Sequence, residues 1–327
     1  MISNELMVSV KMITYKHEKF IKQAIEGVLM QETDFEFNLI IADDCSPDNT
    51  HEIVNKIIKN HSKGFKIKYF RHEKNIGMYD NGLFAINKCK GKYIALCEGD
   101  DYWTDPLKLQ KQLEFLEKDK EYSMVFTPAL KKFENANKPN KIRNRYFNYN
   151  SDDFQLENIL KLGGGFYPTC SAMFLNKIFD INNSMKYLKI HSTGDYPIAI
   201  LAAIKGKIGY IDDVTSVYRV QDNSVSNKLF KTCEDCVKDV KIKYEKNINF
   251  LIFLFKEIKI KRKLERELLS KENYILLSKN LNCGHYSGFI NLFFNLNLLL
   301  KHRIRIIVKL IYLLINGNKA SKIQKDN

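Results

Sequence analysis

KYIALCEGDDYWTDP, residues 92–106, decides the fold. A short apolar run, Tyr93 to Cys97, stops abruptly at Glu98, Asp100 and Asp101. Carboxylates this close at the end of a buried strand repel one another, and a divalent cation is the usual partner that makes them tolerable. The plainer reading is a solvated acidic turn leading into the helix that begins near Pro106, since carboxylates favour first turns. A second stretch of the same design argues against it. FNLIIADDCSPDNT, residues 37–50, has Leu39, Ile40 and Ile41 apolar on both faces, as a central parallel strand is, with Asp43 and Asp44 at its carboxyl end. In open α/β sheets, ligands bind beyond the carboxyl ends of the strands. Two acid-tipped ends therefore point at one crevice.

Around these stretches, short apolar runs alternate with periodic segments. Strands are expected over 6–13, 37–42, 66–70 and 92–97, and helices over 17–30, 50–60, 81–89 and 106–117. That alternation is the mark of an α/β fold, a mostly parallel sheet flanked by helices. Neither GxGxxG nor GxxxxGK[ST] is present, so the charge of a bound diphosphate must be met by a metal, by basic side chains or by helix ends. From Tyr122 to Asn150 the pattern weakens, and the polar, basic stretch 134–145 reads as a loop. GGGFYPTCSAMF, residues 163–174, passes from glycines into a strand. HSTGDYPIAILAAIKG, residues 191–206, opens a helix with Asp195 in its first turn, and two short strands follow near 208–211 and 215–220.

The net charge of +14 over 327 residues is uneven. Asn227 to Asn327 holds 21 Lys and Arg against 9 Asp and Glu, which is +12, and the first 226 residues carry only +2. We therefore expect a near-neutral body over 1–226 and a basic helical region over 227–327. Seven scattered cysteines do not form a disulfide framework, and the Cys233–Cys236 pair lacks the companions of a zinc site. The first residues lack a signal-peptide pattern, so a cytoplasmic protein is expected. Residues 280–300 contain no charged side chain but five Asn, too polar for a membrane span. Asn291, Asn295, His302, Arg305 and Lys309 fall on one side of a helix whose remainder is apolar. Such a helix fits peripherally on the anionic inner face of a membrane. Equally, it fits packing on the body or on another subunit of a homo-oligomer.

With these pieces in order, the chain resembles the family 2 glycosyltransferases of the GT-A fold, inverting enzymes of bacterial surface polysaccharide synthesis. The likeness covers Leu6 to Ser226 and rests on VSVKMITYKHEKFIKQAIEGVLMQ, IIADDCSPDNT, HEKNIGMYDNG, KYIALCEGDDYWTDPLKLQKQ, STGDYP and VYRVQDNSVS. It implies a nucleotide-sugar donor of the UDP type and a glycan or lipid-linked acceptor. It also implies Mn²⁺ or Mg²⁺ bridging the leaving diphosphate. Glu98-Gly99-Asp100 answers the family's Asp-x-Asp, with Asp100 as metal ligand and Glu98, longer than the usual Asp, on the donor. Asp44 would accept the N3–H of a uracil-type base, with Thr14 and Tyr15 lining base and ribose and Asp43 nearby. Asp195 falls at the catalytic base, although Gly194 replaces the usual acidic partner. Arg219 and Gln221 stand where relatives carry Arg and His in a Tyr-Arg-x-His loop that closes on the diphosphate.

Other readings compete. A nucleotidyltransferase also uses acidic metal ligands on an α/β site, but the segment after the first strand, MITYKHEKF, lacks its glycine-rich basic loop. A non-catalytic relative acting in assembly fits the departures at Glu98, Gly194 and Gln221. A nucleic-acid-binding protein fits the basic tail but leaves the acidic crevice without a purpose, so no nucleic-acid partner is expected.

Overall fold

The computed structural model describes residues 3–134, 139–146, 154–163, 165–180, 188, 191, 193–221, 233–257 and 262–282. The chain divides into two compact units, one of Met1–Lys189 with Thr193–Lys228, the other of Ile190–Ser192 with Leu229–Asn327.

The first unit is built on β1 (Ser3–Thr14), α1 (Ile21–Leu29), β2 (Phe35–Asp43), α2 (Thr50–Asn60), β3 (Ile67–Arg71), α3 (Met78–Lys88), β4 (Tyr93–Leu96), β5 (Tyr102–Trp103) and α4 (Lys108–Lys118). It continues through β6 (Tyr122–Phe126), β7 (Ala129–Phe133), β8 (Lys141–Arg143), α5 (Leu156–Leu162), β9 (Met173–Leu175), α6 (Asp195–Lys205), β10 (Lys207–Tyr210) and β11 (Ser216–Val220). Among the described residues the central sheet runs β10-β6-β9-β4-β1-β2-β3, and a smaller sheet runs β5-β11-β7-β8. β1 pairs in parallel with β2 and with β4, and β2 with β3. Short β9 enters antiparallel between β4 and β6.

Strand order turns at β1: β2 and β3 lie on one side of it and β4 on the other. The carboxyl ends of β1 and β4 thus flank a topological switch point, where such sheets bind ligands. Core packing holds these ends in place. Val8, Val10 and Met12 of β1 and Leu39 and Ile41 of β2 pack with Ile21, Ala24, Ile25 and Val28 of α1, Val54 of α2, and Leu109, Leu113 and Leu116 of α4. These apolar residues recur at alternate positions in the strands and at three- and four-residue spacing in the helices, as burial of one face demands.

Two stretches differ from the expectation. Within 122–150, where the pattern weakens, the structure forms β6 in the central sheet and β7 with its antiparallel partner β8 in the smaller one, β8 lying inside the stretch 134–145 read as a loop. Strands of three to five residues with half-exposed lysines, such as ALKKF, are too short for period-two alternation to show. Helix α5 also went unread, for it spans only seven residues.

In the second unit, α7 (Cys233–Glu257) and α8 (Arg262–Asn282) run antiparallel. Tyr244 Oη donates to Asn273 Oδ1 at 2.8 Å and Asn247 Nδ2 to Glu272 Oε2 at 3.1 Å. Phe250, Leu251, Leu254, Leu264, Leu268, Leu276 and Leu277 are buried. Among the described residues no helix is long and apolar enough to cross a membrane. The basic amphipathic stretch from Asn291 to Lys309 lies outside the described residues.

Candidate active site

The first acidic end receives hydrogen bonds from within the fold on every carboxylate oxygen. Asp43, the last residue of β2, is fully buried, and its Oδ1 accepts from the amide of Ser46 at 2.9 Å and from Ser46 Oγ at 2.5 Å. Tyr69 Oη donates to its Oδ2 at 2.7 Å, and Arg71 Nε stands 3.8 Å away. Burial and the hydrogen bond to Asp43 push the Tyr69 phenol up and keep it a donor. Asp43 thus closes the β2–α2 turn.

Asp44 bridges two turns. Its own amide donates to Thr14 O at 3.0 Å, while its carboxylate receives the amides of Ile76 at 2.7 Å and Gly77 at 2.9 Å. Gly77 holds φ +89° at the start of α3, a conformation that suits glycine and turns its N–H onto Asp44. Each oxygen of Asp44 retains a further lone pair. Thr14 is buried at the end of β1 with Oγ1 3.2 Å from His17 Nδ1, and Tyr15 beside it is exposed.

The second acidic end is built differently. Lys11 lies in the middle of β1, its side chain alternating with Val10 and Met12, and its Nζ donates to Glu98 Oε1 at 3.2 Å. Glu98 Oε2 is buried with no hydrogen-bond partner. A buried carboxylate oxygen without a donor costs free energy on the order of 1–3 kcal/mol unless a group from outside the fold supplies one. Gly99 passes tightly over β1: its amide donates to Ile13 O at 3.0 Å, and a Cβ there would lie 2.9 Å from Thr14 Oγ1. That contact places the Glu98–Asp101 turn directly on the end of β1.

Asp100 is half-buried, and Gln221 Nε2 approaches its Oδ2 at 3.4 Å. Asp101 is buried and accepts the Arg219 amide at 2.8 Å; burial, then the neighbouring Asp100 charge, push its carboxyl well up. The Arg219 guanidinium is engaged within the fold, donating to Asp100 O at 2.7 Å, to Glu134 Oε1 at 2.8 Å and to Gln23 Oε1. Trp103, just past the acidic turn, is core: its Nε1 donates to Cys170 O at 2.7 Å and Lys108 Nζ sits 4.2 Å over its ring.

Asp195 begins α6, half-buried, and Tyr167 Oη donates to its main-chain carbonyl at 2.8 Å. The buried Tyr167 phenol is pushed well up, first by burial and then by the charges of Asp195 and Glu98. The Tyr79 phenol, half-buried at the start of α3, is likewise raised by burial and then by Asp195. Thr14, Asp44, Glu98, Asp100 and Asp195 all belong to the first unit.

Among the described residues no three His, Cys, Asp or Glu side chains are assembled to hold a metal on their own. The donor set instead suits a hard cation completed by substrate: the Asp100 carboxylate with one long amide contact, beside the unpartnered Glu98 Oε2. Mg²⁺ and Mn²⁺ commonly take one or two carboxylates and fill their shells with phosphate oxygens and water. The residues present fit such a group.

Lys11, Tyr69 and Tyr167 were not singled out from the sequence. Lys11 left a signal, a charge inside the apolar strand VSVKMIT, which needs a buried partner. Tyr69 and Tyr167 left none, since aromatics in apolar runs read as core.

Uncharacterized protein Rv1520 of Mycobacterium tuberculosis is 39% identical over 121 residues, covering 37% of this chain and 34% of that protein. The UDP-Glc:alpha-D-GlcNAc-diphosphoundecaprenol beta-1,3-glucosyltransferase WfaP of Escherichia coli is 32% identical over 114 residues, 35% of this chain and 43% of that protein. The matches thus span less than half the length of either relative. The crystal structure of S. aureus TarS 1-349 in complex with UDP-GlcNAc superposes with a TM-score of 0.61 at 17% identity, covering 88% of this chain and 80% of that one. This establishes the GT-A fold. Glycosyl transferase family 2 matches residues 9–181, more than half of the chain, and the chain belongs to that family.

Proposed function

We propose that the protein is a metal-dependent inverting glycosyltransferase. It moves a sugar from a UDP-sugar to a hydroxyl of a glycan or lipid-linked acceptor in surface polysaccharide synthesis. The observation that carries this reading is the second acidic end, where Glu98 Oε2 is buried without a partner beside the lightly engaged Asp100. The UDP-GlcNAc bound to TarS and the UDP-Glc and diphosphoundecaprenol acceptor in the name of WfaP support the donor and acceptor classes.

Asp44, with Thr14 and Tyr15, receives the base and ribose. Its carboxylate accepts the N3–H of uracil with the lone pairs left free by Ile76 and Gly77. Glu98 accepts from the donor through Oε2. Mn²⁺ or Mg²⁺, held by Asp100, would offset the charge that develops on the leaving diphosphate. The Asp195 carboxylate takes the proton from the acceptor hydroxyl as that oxygen forms its bond to the anomeric carbon. The bond to the diphosphate breaks on the opposite face, so one displacement inverts the centre and releases the nucleoside diphosphate. The 1–226 segment carries this chemistry, in the cytoplasm, and the basic 227–327 region seats it on the inner membrane face or on another copy.

Release of UDP from UDP-sugars tests the reading, with Asp195→Asn and Asp100→Ala as controls. Release by the wild type that both variants abolish is the expected result. Release that survives both substitutions would remove Asp195 and Asp100 from the mechanism.

A further inference from the structure

Arg219 is buried at 5% exposure, and each nitrogen of its guanidinium has a partner on a different segment. Nε donates to Glu134 Oε1 at 2.8 Å, beyond β7; Nη1 to Asp100 O at 2.7 Å, in the acidic turn; and Nη2 to Gln23 Oε1, in α1. The guanidinium carbon lies 4.3 Å from the ring centre of Tyr102 and 5.0 Å from that of Phe20. The residue's own amide donates to Asp101 Oδ1 at 2.8 Å. Three partners from the fold and 5% exposure leave little of this cation open to a donor phosphate. Two residues further on, Gln221 approaches Asp100 Oδ2 at 3.4 Å, so β11 grips the turn mainly through Asp101 and the Asp100 main chain. The Asp100 carboxylate is left lightly engaged while its backbone is fixed. A lysine could not reproduce this, because an ammonium is a point charge without the planar fork that spans three acceptors.

We propose that Arg219 is a positioning residue. It holds the Glu98–Asp101 turn from the smaller sheet so that Asp100 presents its carboxylate to the divalent cation, and it does not touch the donor itself. This rests on the reading of the site given above. It requires Arg219 to govern the metal-dependent part of nucleotide binding and to leave the rest alone.

The test is isothermal titration of the full chain with UDP, with and without Mn²⁺, for wild type and Arg219→Lys, with thermal unfolding alongside. The lysine variant is expected to weaken the Mn²⁺-dependent gain in UDP affinity roughly tenfold or more, as loss of an outer partner of a metal ligand does, while metal-free UDP affinity stays within about twofold. Equal weakening in both conditions would mean direct donor contact and overturn the proposal, and so would no change in either. Should Arg219→Lys not fold, Gln23→Ala at an exposed position of α1 removes one partner of the guanidinium. It should lower the same metal-dependent component roughly threefold, in line with loss of one hydrogen bond, and an unchanged component overturns the proposal. A wild type whose UDP binding ignores Mn²⁺ overturns the reading of the site as well, whereas failure in the variants alone overturns only the role of Arg219.

Discussion

The carboxyl ends of β2 and β4 look alike in sequence, each an apolar run tipped with adjacent aspartates, yet the structure finishes them in opposite ways. At β2, Asp43 and Asp44 accept five hydrogen bonds from Ser46, Tyr69, Ile76 and Gly77, so their charge is balanced from within. At β4, Glu98 keeps a buried oxygen without a donor and Asp100 has one long amide contact. The fold supplies donors to every carboxylate oxygen of the first end, and Asp44 keeps only its remaining lone pairs for a ligand. The second, on the function proposed above, would be completed by the donor and its metal. Acidic turns should therefore be judged by which of their oxygens the fold has already used.

The contrast can be broken most severely at the proposed base, which belongs to neither end. Asp195→Asn is expected to lower turnover on the order of 10²–10⁴-fold, the range of a general base, with UDP affinity unchanged; steady-state rates and titration measure the two separately. Next comes stability. Asp43→Ala strands the Tyr69 hydroxyl and the Ser46 donors in a buried turn and should cost about 3 kcal/mol in urea unfolding. Asp100→Ala removes a carboxylate with one weak contact and should stay within about 0.5 kcal/mol of wild type. A reversal of that order would mean that the two ends are finished alike.

The smallest effect concerns what lies behind the β4 end. Lys108 is buried at the start of α4 with Nζ 2.5 Å from Gln112 Oε1, and burial pushes its ammonium down to about 7. Between that value and its ordinary one the unfolded chain holds a proton that the folded chain lacks, so this group's contribution to stability rises with pH. The stability of wild type minus that of Lys108→Met should therefore climb from pH 7 towards pH 10. A difference that is flat or falls over this window would mean that the amine stays charged in the fold.

Much of the first unit was legible because long amphipathic helices and fully apolar strands carry their period openly. Helix α2 covers Thr50–Asn60, the span the sequence predicts, and β1 to β4 fall within a few residues of expectation. What escaped is short or depends on partners distant in sequence. β7, β8 and α5 are shorter than a reliable period, and β9 runs antiparallel in a sheet otherwise expected to be parallel. Within the site, the acidic residue types and their placement at strand ends were readable. Their occupancy was not: Asp43 is satisfied by Tyr69, 26 residues on, and Arg219 reaches Gln23 across 196 residues. Such pairs leave no local pattern.

The most direct measurement is titration of the intact protein with UDP, with and without Mn²⁺, for wild type, Asp100→Ala and Asp43→Asn. A β4 end left for a metal-bound diphosphate predicts Mn²⁺-dependent UDP binding that Asp100→Ala abolishes and Asp43→Asn retains. UDP binding that is indifferent to Mn²⁺, or that survives Asp100→Ala undiminished, would contradict the account.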